Sequence, residues 1–433
     1  MGARAVRRRQ LFGQRSPPRH LRFRHRRVPT VGDNSLRGTG FWLLWANAVS
    51  VSMVMSADRF TFEWLVGETL DASDSVNGLV LFALGAPVVC FVLLAGAMAD
   101  RHDRKRILLW TQLGGAVVLG LSAVAVWTDI IDVPVTIVLA VLFGTVMAFG
   151  QPVRASLLPS IVAKEQLMHA IVVMTIGMNV AMIGGPLIAG ALIEAEGVGL
   201  AFAAQAVFFV VGVTTVSRLH VPALPPVDRT TRLRDEVTDG LRFTWGHRRL
   251  RALFFLLAVG GGLMFGSAVA LLPKIARDEF GRSADDSGLL FAMMGVGMIV
   301  TSIGLIRHRQ RITRRGLVFM LGMVLGTSNQ IVQGFVPSYI WLVVLMFLWG
   351  ASGGFYMNIN QTLIQELTPR EKMGRVMSLT SLTQGGLVPL GALAASALAE
   401  GIGPQPAMSV FGVVSLACVL LTLAVAKELR AQR

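Results

Sequence analysis

The chain has 433 residues, of which 53% are hydrophobic and only 15% are charged, and its mean hydropathy is +0.62. Soluble domains carry about 25% charged residues, so this composition excludes a soluble globular protein and indicates a membrane protein. The net charge of +15 would suit a nucleic-acid partner, but the basic residues stand in clusters between apolar runs. Cys90 and Cys418 lie singly inside apolar runs, a pattern that predicts neither a disulfide nor a metal site.

The N-terminal segment, residues 1–37, contains eleven arginines and one acidic residue, Asp33. Arginines and prolines interrupt it throughout, so it lacks the apolar core of a cleaved signal peptide. We interpret residues 1–37 as a basic cytoplasmic tail, expected to be disordered and to lie against anionic lipid.

Twelve apolar runs follow the tail. A helix needs about 20 mostly apolar residues to cross roughly 30 Å of hydrocarbon. The predicted spans cover residues 41–66, 76–99, 106–127, 134–156, 168–193, 198–217, 251–273, 287–306, 316–335, 339–362, 376–399 and 406–426.

The basic residues predict the orientation of these spans. If the N-terminus is cytoplasmic, 36 of the 40 Lys and Arg residues fall on the cytoplasmic side. The opposite side has only Lys274, Arg277 and Arg282, and Arg59 lies within the first span. We therefore expect a multi-pass protein of a bacterial plasma (inner) membrane, with both termini in the cytoplasm.

The two halves of the chain are related in sequence. At an offset of 206 residues, Leu157–Leu167 matches Leu363–Met373, and Gly144 matches Gly350. The predicted domains are a six-helix bundle over 38–218, a cytoplasmic linker with an amphipathic helix over 219–250, a second bundle over 251–426 and a cytoplasmic C-terminus over 427–433. The fold class is thus an all-α polytopic membrane protein, with twelve transmembrane helices in two parallel-related six-helix bundles, as in secondary transporters.

Charged residues inside a span are candidates for function because their burial in hydrocarbon is costly. The first span contains Asp58, Arg59 and Glu63. Arg59 and Glu63 stand four residues apart and can pair on one helix face, which leaves Asp58 for a proton or cation. These three residues are the candidates for proton coupling. The alternative is a charge cluster near the membrane surface that only positions the helix.

The loop after the second span carries the pattern G-x-x-x-D-R-x-x-R-K. It resembles motif A of the major facilitator superfamily, through Gly96, Asp100, Arg101, Arg104 and Lys105. The resemblance implies a latch against span eleven that holds an outward-open state, with Asp100 and Arg104 paired on one helix face. A plain positive-inside anchor is the alternative. The family commonly has glycine where this chain has an aspartate between Arg101 and Arg104, and aspartate tolerates the left-handed turn.

A second motif lies in span five, where Gly185, Pro186 and Gly190 resemble the helix-bending motif C of exporters in the same superfamily. Generic helix packing is the alternative. Span four lacks the mid-helix arginine of motif B, and the stretch FGQPVRASLLPSIV resembles the drug, siderophore and macrolide exporter branch.

Polar residues in the spans that line the cavity of this superfamily are substrate-binding candidates. The resemblance places spans one, four, seven and ten there, which selects Asn47, Gln151, Asn358 and Gln361. Buried amides also tie helices together, and that is the alternative for each of them.

These features favour a secondary transporter that exports a small amphipathic molecule by proton antiport. The alternatives are proton-coupled uptake of a nutrient and a receptor that keeps the fold without flux. The sequence lacks the HExxH, GxSxG and P-loop motifs of hydrolases and ATP-driven pumps, so no enzyme activity and no cofactor are expected. The expected partners are the substrate, protons and the lipid bilayer, without nucleic acid, and the expected state is a monomer.

Overall fold

The computed structural model describes residues 38–101, 103–162, 166–220, 241–307, 314–369 and 372–426. In these ranges the chain forms twelve helices that are long and apolar enough to cross a membrane, which confirms the predicted fold class. The first half contains α1 (Thr39–Thr69), α2 (Asp74–Arg101), α3 (Arg104–Trp127), α4 (Val133–Ile161), α5 (Leu167–Glu196) and α6 (Val198–Arg218). The second half contains α7 (Arg248–Glu279), α8 (Ala284–Arg307), α9 (Arg315–Gln333), α10 (Tyr339–Leu367), α11 (Met373–Ile402) and α12 (Pro404–Val425).

Several predicted segments lie outside the described residues. They are the tail, most of the linker and the C-terminal residues 427–433. Within the predicted amphipathic linker, residues 241–246 are helical, and the side chain of Trp245 is exposed.

Polar and glycine residues set the helix ends. The Asp132 carboxylate caps α4 and accepts a hydrogen bond from the Val135 backbone N–H at 2.8 Å. Gly197 joins α5 to α6 with φ of 82°, and Gly403 joins α11 to α12 with φ of 89°, in the left-handed region that favours glycine. These two glycines are 206 residues apart, so the two halves use the same turn at the same place.

The repeat also governs helix packing. A Cβ at Gly144 of α4 would collide with the Leu84 carbonyl oxygen of α2, and a Cβ at Gly350 of α10 would collide with the Met294 carbonyl oxygen of α8. The two glycines allow the same close helix approach in both halves. The two bundles are therefore built on equivalent contacts.

We call the end of the molecule where α1 begins the near end, and the opposite end, which carries the α1–α2 and α7–α8 connections, the far end. The two halves meet where α2 packs along α11 and α5 along α8. Gly85 meets Pro389 at mid-depth, and Gly78 meets Leu393 closer to the far end. The described contacts between the halves thus run from the middle of the molecule to the far end.

Candidate functional site

Charged side chains from the two halves meet at the far end. The Lys274 Nζ of α7 lies 2.5 Å from the Asp74 Oδ1 of α2, and the Arg277 Nη1 of α7 lies 3.6 Å from the Glu63 Oε1 of α1. We call Glu63, Asp74, Lys274 and Arg277 the far gate. Its acids belong to the first half and its bases to the second, so the two halves cannot separate at this end without breaking both pairs.

Glu63 is the most deeply buried acid of the far gate. Its side chain is 0% exposed, and neither carboxyl oxygen accepts a hydrogen bond. The 3.6 Å separation from Arg277 exceeds hydrogen-bond distance. Arg277 is itself held by other groups, since its Nε donates to Asp278 at 2.9 Å and its guanidinium lies over the Trp64 ring. Glu63 is therefore a buried carboxyl group with one cation beside it and no hydrogen-bond donor.

The shape of α1 makes room for Arg277. A Cβ at Gly67 would lie 2.5 Å from the Arg277 Nη1, so any larger residue would make the guanidinium shift from this position. The end of α1, Leu65–Thr69, is π-helical, as is the end of α7, Ile275–Glu279. The wider turn occurs in both gate helices at the level where their charged side chains meet.

An aromatic layer lies on the near side of the far gate. Phe60 of α1 meets Phe291 of α8 edge to face at 6.2 Å, and Phe265 of α7 stacks on Trp349 of α10 at 6.5 Å. The Trp349 indole N–H is buried and has no hydrogen-bond acceptor. The Phe60–Phe291 contact joins the two halves beneath the charged pairs, whereas Phe265 and Trp349 both belong to the second half.

The remaining candidates of the first span do not join the far gate. Asp58 is buried, 6% exposed, and its nearest charged group is the adjacent Arg59. The expected pairing of Arg59 with Glu63 is wrong, because Glu63 turns toward Arg277 of the other half. Asp58 lies eleven residues after Asn47, so both occupy the same face of α1.

Asn47 belongs to a buried polar cluster inside the first half. Its Oδ1 accepts a hydrogen bond from the Arg154 Nε of α4 at 3.0 Å, and its Nδ2 donates to the Gly212 carbonyl oxygen of α6 at 3.4 Å. The Gln112 amide of α3 also lies against Gly212. Both Gln112 amide atoms and the Arg154 Nη2 are buried without hydrogen-bond partners. Asn47 therefore ties helices together.

The other cavity candidates are spread over α4 and α10. Asn358 is exposed and donates from Nδ2 to the Ser302 Oγ at 2.9 Å, and Gln361 is also exposed. The side chain of Gln151 lies outside the described residues. In the described part of the chain, no three His, Cys, Asp or Glu side chains are grouped to hold a metal ion.

The comparisons with known proteins agree with this architecture. The family model of the Major Facilitator Superfamily matches residues 41–389. The chain belongs to the Major Facilitator Superfamily. It is accordingly a multi-pass membrane transporter of a small molecule, and not an enzyme.

Two curated relatives in the superfamily are efflux proteins. Macrolide efflux protein A of Streptococcus pyogenes is 26% identical over 410 residues, which cover 90% of this chain and 96% of the relative. The multidrug efflux pump Tap of Mycolicibacterium fortuitum is 27% identical over 384 residues, which cover 86% of this chain and 91% of the relative. The resemblance to an exporter branch is thus confirmed by relatives that align along nearly the whole chain.

Solved structures show the same fold. The nucleoside transporter NupG superposes with a TM-score of 0.74 at 13% identity, covering 89% of this chain and 99% of NupG. A peptide transporter POT superposes with a TM-score of 0.71 at 15% identity, covering 92% of this chain and 97% of the transporter. At this identity the likeness concerns the fold alone.

The segment that resembles motif A spans two helices. The packing of Gly96 and the side chains of Asp100 and Arg101 lie outside the described residues. Because α2 ends at Arg101 and α3 begins at Arg104, Asp100 and Arg104 do not share one helix. Their pairing stays a prediction, since the Asp100 side chain lies outside the described residues.

The aspartate of this motif segment adopts an extended conformation and caps α3. The Asp103 carboxylate accepts a hydrogen bond from the Lys105 backbone N–H at 2.9 Å, with φ of −62°, so it does not use the left-handed conformation expected for it. The Lys105 Nζ donates to the Ser217 carbonyl oxygen of α6 at 2.8 Å, and Arg104 lies half-buried in the first turn of α3.

The residues that resemble motif C pack α5 against two neighbours. A Cβ at Gly185 would meet the Met53 carbonyl oxygen of α1, and a Cβ at Gly190 would meet the Ala284 carbonyl oxygen of α8. Pro186 lies inside α5 beside Gly288 of α8. Both glycines therefore serve close packing, and Gly190 does so across the two halves.

Sequence reasoning missed most of the far gate. It found Glu63 but treated Lys274 and Arg277 only as exceptions to the charge asymmetry, and it passed over Asp74. The useful signal was the placement of those two bases, which lie on the side that has few basic residues. A basic residue on the side with few bases is expected to need an acidic partner. Glu63 in the last turns of α1 and Asp74 in the first turn of α2 are those partners.

Proposed function

We propose that this transporter exports a small amphipathic molecule in exchange for protons, as a monomer in the plasma membrane. The efflux relatives support export, and the aromatic layer between the halves suits an amphipathic substrate. The near end is cytoplasmic in this proposal, because it carries most of the basic residues. Both sides of the far gate come from one chain, so a single chain provides a complete gate.

In this proposal the structure corresponds to the state that is closed to the outside, because the far end is the outer end. The far gate, the aromatic layer and the Gly78 and Gly85 contacts all join the halves between mid-depth and the far end. Alternating access then requires the halves to separate at this end after the substrate binds from the near end. The two six-helix bundles move as the rigid parts, and 219–250 connects them.

The observation that carries proton coupling is the burial of Glu63 at this interface. When the gate is open, water reaches the carboxyl group and the charged form is well solvated. When the gate closes, the group loses water, gains no hydrogen-bond donor, and faces Arg277 at 3.6 Å. Burying a charge with such poor compensation costs several kcal/mol, so the closed gate favours the protonated, neutral form.

This preference gives the coupling its direction. The closed state binds more protons than the open state, and lower pH favours the state that binds more protons. Acid outside the cell therefore drives closure, and each closure carries a proton on Glu63 from the outside into the protein. Asp58, buried eleven residues beyond Asn47 on the same face of α1, is the proposed next acceptor inside the first half.

The test uses inside-out membrane vesicles with an acidic interior and a fluorescent reporter of the pH gradient. Adding erythromycin as a macrolide probe should collapse the gradient with the wild-type protein. Glu63→Gln should abolish this discharge, because the neutral amide binds no proton. Asp58→Asn should reduce it at least about tenfold, in line with the loss of a proton-transfer group.

Glu68→Gln is the matched control. Glu68 lies 3.8 Å from the same arginine, but its side chain is 58% exposed, so it stays hydrated in both states and should leave the discharge unchanged. Discharge that survives Glu63→Gln would exclude Glu63 as the proton carrier. Substrate accumulation that instead needs acid outside intact cells would reverse the direction and establish proton-coupled uptake.

A further inference from the structure

Two seams join the halves at the far end, one between α2 and α11 and one between α5 and α8. Their packing is equivalent. A Cβ at Gly78 of α2 would meet the Leu393 Cα of α11, and a Cβ at Gly288 of α8 would meet the Leu187 Cα of α5. Leu393 stands 206 residues after Leu187, and Gly288 stands 210 residues after Gly78, as the start of α8 does after the start of α2. The internal repeat thus places the same helix contact in both seams.

The α2–α11 seam carries an additional polar contact between the halves. The Glu400 carboxylate, in the last turn of α11, accepts a hydrogen bond from the Ser75 backbone N–H at 3.2 Å and another from the Ser75 hydroxyl group. Ser75 lies in the first turn of α2, where backbone N–H groups have no partner within the helix and a negative charge is stabilised. Glu400 of the second half therefore caps a helix of the first half.

The α5–α8 seam has different residues at these two positions. The equivalent of Ser75 is Asp285, in the first turn of α8, and the equivalent of Glu400 is Glu194, in the last turn of α5. A Cβ at Gly190 would lie 2.9 Å from the Asp285 Cα. Glu194 follows Gly190 by one turn on the same face of α5, and helical side chains lean toward the N-terminus of their helix. Two acids therefore stand where the other seam has an acid and a hydroxyl donor.

This second seam cannot form the contact seen in the first. The Asp285 carboxylate accepts hydrogen bonds within its own half, from the Ser283 hydroxyl group and from the Asp286 backbone N–H at 2.9 Å. An ionised aspartate has no proton to donate to Glu194, and two nearby carboxylates repel each other. Within the described part of the chain, Glu194 has neither a hydrogen bond nor an ion pair.

We propose that the contact between Ser75 and Glu400 holds the α2–α11 seam, so that the far end opens first along the α5–α8 seam. Because the helix packing of the two seams is equivalent, the polar contact determines which of them separates first. The halves then tilt apart about the α2–α11 seam. This inference rests on the opening of the far end in the proposed function, but not on export or on proton coupling.

Distances between spin labels test the inference on the full-length protein in lipid nanodiscs, in a chain without its two cysteines. One label pair, at Ser73 and Ile402, spans the α2–α11 seam, and the other, at Glu196 and Leu289, spans the α5–α8 seam. At alkaline pH, where the proposed charge on Glu63 favours opening, the open population should be larger at the α5–α8 seam. Equal open populations at the two seams would overturn the inference. If neither distance changes between acidic and alkaline pH, the far end does not open, and the proposed alternating access fails as well.

A pair of equivalent variants tests the part of Glu400. Glu400→Ala should raise the open population at the α2–α11 seam about three- to tenfold, because two hydrogen bonds to the carboxylate are lost. Glu194→Ala is the matched control. It removes the equivalent acid of the other seam, which holds no contact, and should not increase opening there. Distances across the α2–α11 seam that Glu400→Ala leaves unchanged would contradict the inference.

The reciprocal variant transfers the contact to the other seam. Asp285→Ser places a hydroxyl donor beside Glu194 and should lower the open population at the α5–α8 seam about three- to tenfold. Asp285→Ala removes the same charge without supplying a donor, so it should lower that population less. An Asp285→Ser chain that is no more closed than the Asp285→Ala chain would show that the hydroxyl group does not hold a seam.

Discussion

The two halves of this transporter share one scaffold but differ where they face each other. Helices α1 and α7 hold equivalent places, and each ends in a π-helical segment, Leu65–Thr69 and Ile275–Glu279. At that level α1 supplies the acid Glu63, while α7 supplies the bases Lys274 and Arg277. Duplication of one six-helix unit accounts for the shared scaffold. The charge difference makes the Asp74–Lys274 contact attractive, and it places Glu63, which our proposal makes neutral in the closed state, beside Arg277.

The polar core of the first half is a second departure from the repeat. At the offset of 206 residues, Gln112 corresponds to Val318, and Arg154 corresponds to Asn360. The first half thus buries a guanidinium group where the second half buries an amide. Features that both halves keep should matter for folding, and features of one half should matter for transport or for one bundle only.

The largest expected effect concerns the shared scaffold. Gly144→Ala and Gly350→Ala each place a Cβ against a backbone carbonyl of the neighbouring helix, which cannot move without shifting that helix. We expect each substitution to destabilise the protein by about 3 kcal/mol, the upper range for overpacking. The yield of monodisperse protein in detergent and its thermal midpoint measure the effect.

Gly120→Ala of α3 is the control, since a Cβ there meets nothing within 4 Å. Equal losses of thermal stability in Gly144→Ala and Gly350→Ala would support the view that both halves depend on the same helix contact. If only one of the two substitutions is harmful, the halves do not depend on equivalent contacts.

A smaller effect is expected in the polar core of the first half. Asn47→Leu removes the hydrogen-bond acceptor of the Arg154 Nε and leaves that buried, charged N–H without its acceptor. We expect a loss of about 2 kcal/mol, and partial recovery in the double variant Asn47→Leu with Arg154→Met, since removal of both partners leaves no buried charge. Thermal unfolding in detergent measures both. A double variant less stable than the single one would contradict this account.

Much of the fold followed from the sequence because its signals are local and repeated. The length of the apolar runs predicted twelve spans, and the sequence match around Gly144 and Gly350 predicted the duplicated six-helix unit. Pairings between helices were harder to predict. Arg59 and Glu63 satisfy the four-residue rule, yet Glu63 faces Arg277, which lies more than 200 residues away in the chain. Local spacing identifies the residues that are able to pair, but the packing of the two halves determines which of these pairs forms.

Asp103 shows that the sequence pattern can also mispredict the conformation of a single residue. The family pattern suggested a left-handed turn at this position, where glycine is common. The aspartate instead caps α3 in an extended conformation, because its carboxylate can accept from the Lys105 N–H. Asp103 thus starts α3 through a side-chain hydrogen bond that glycine cannot make.

The smallest effect concerns the more exposed pair of the far gate. Asp74→Asn removes the acid that Lys274 contacts at 2.5 Å, while Lys274 keeps Asp278 at 2.9 Å. Both side chains of the pair are partly exposed, so we expect the closed state to lose about 1 kcal/mol, or roughly fivefold in the ratio of closed to open molecules. Distances between spin labels at Thr69 and Glu279, in a chain without its two cysteines, measure that ratio.

Asp286→Asn separates a gate effect from a general loss of surface charge. Asp286 pairs with Arg282 at 3.6 Å near the same end, but both residues belong to the second half. Opening the far end leaves that pair intact, so the spin-label distances should not change. If Asp286→Asn opens the molecule as much as Asp74→Asn does, the charge difference between the halves does not hold the gate. In that case the aromatic layer and the helix contacts at Gly78 and Gly85 keep it closed.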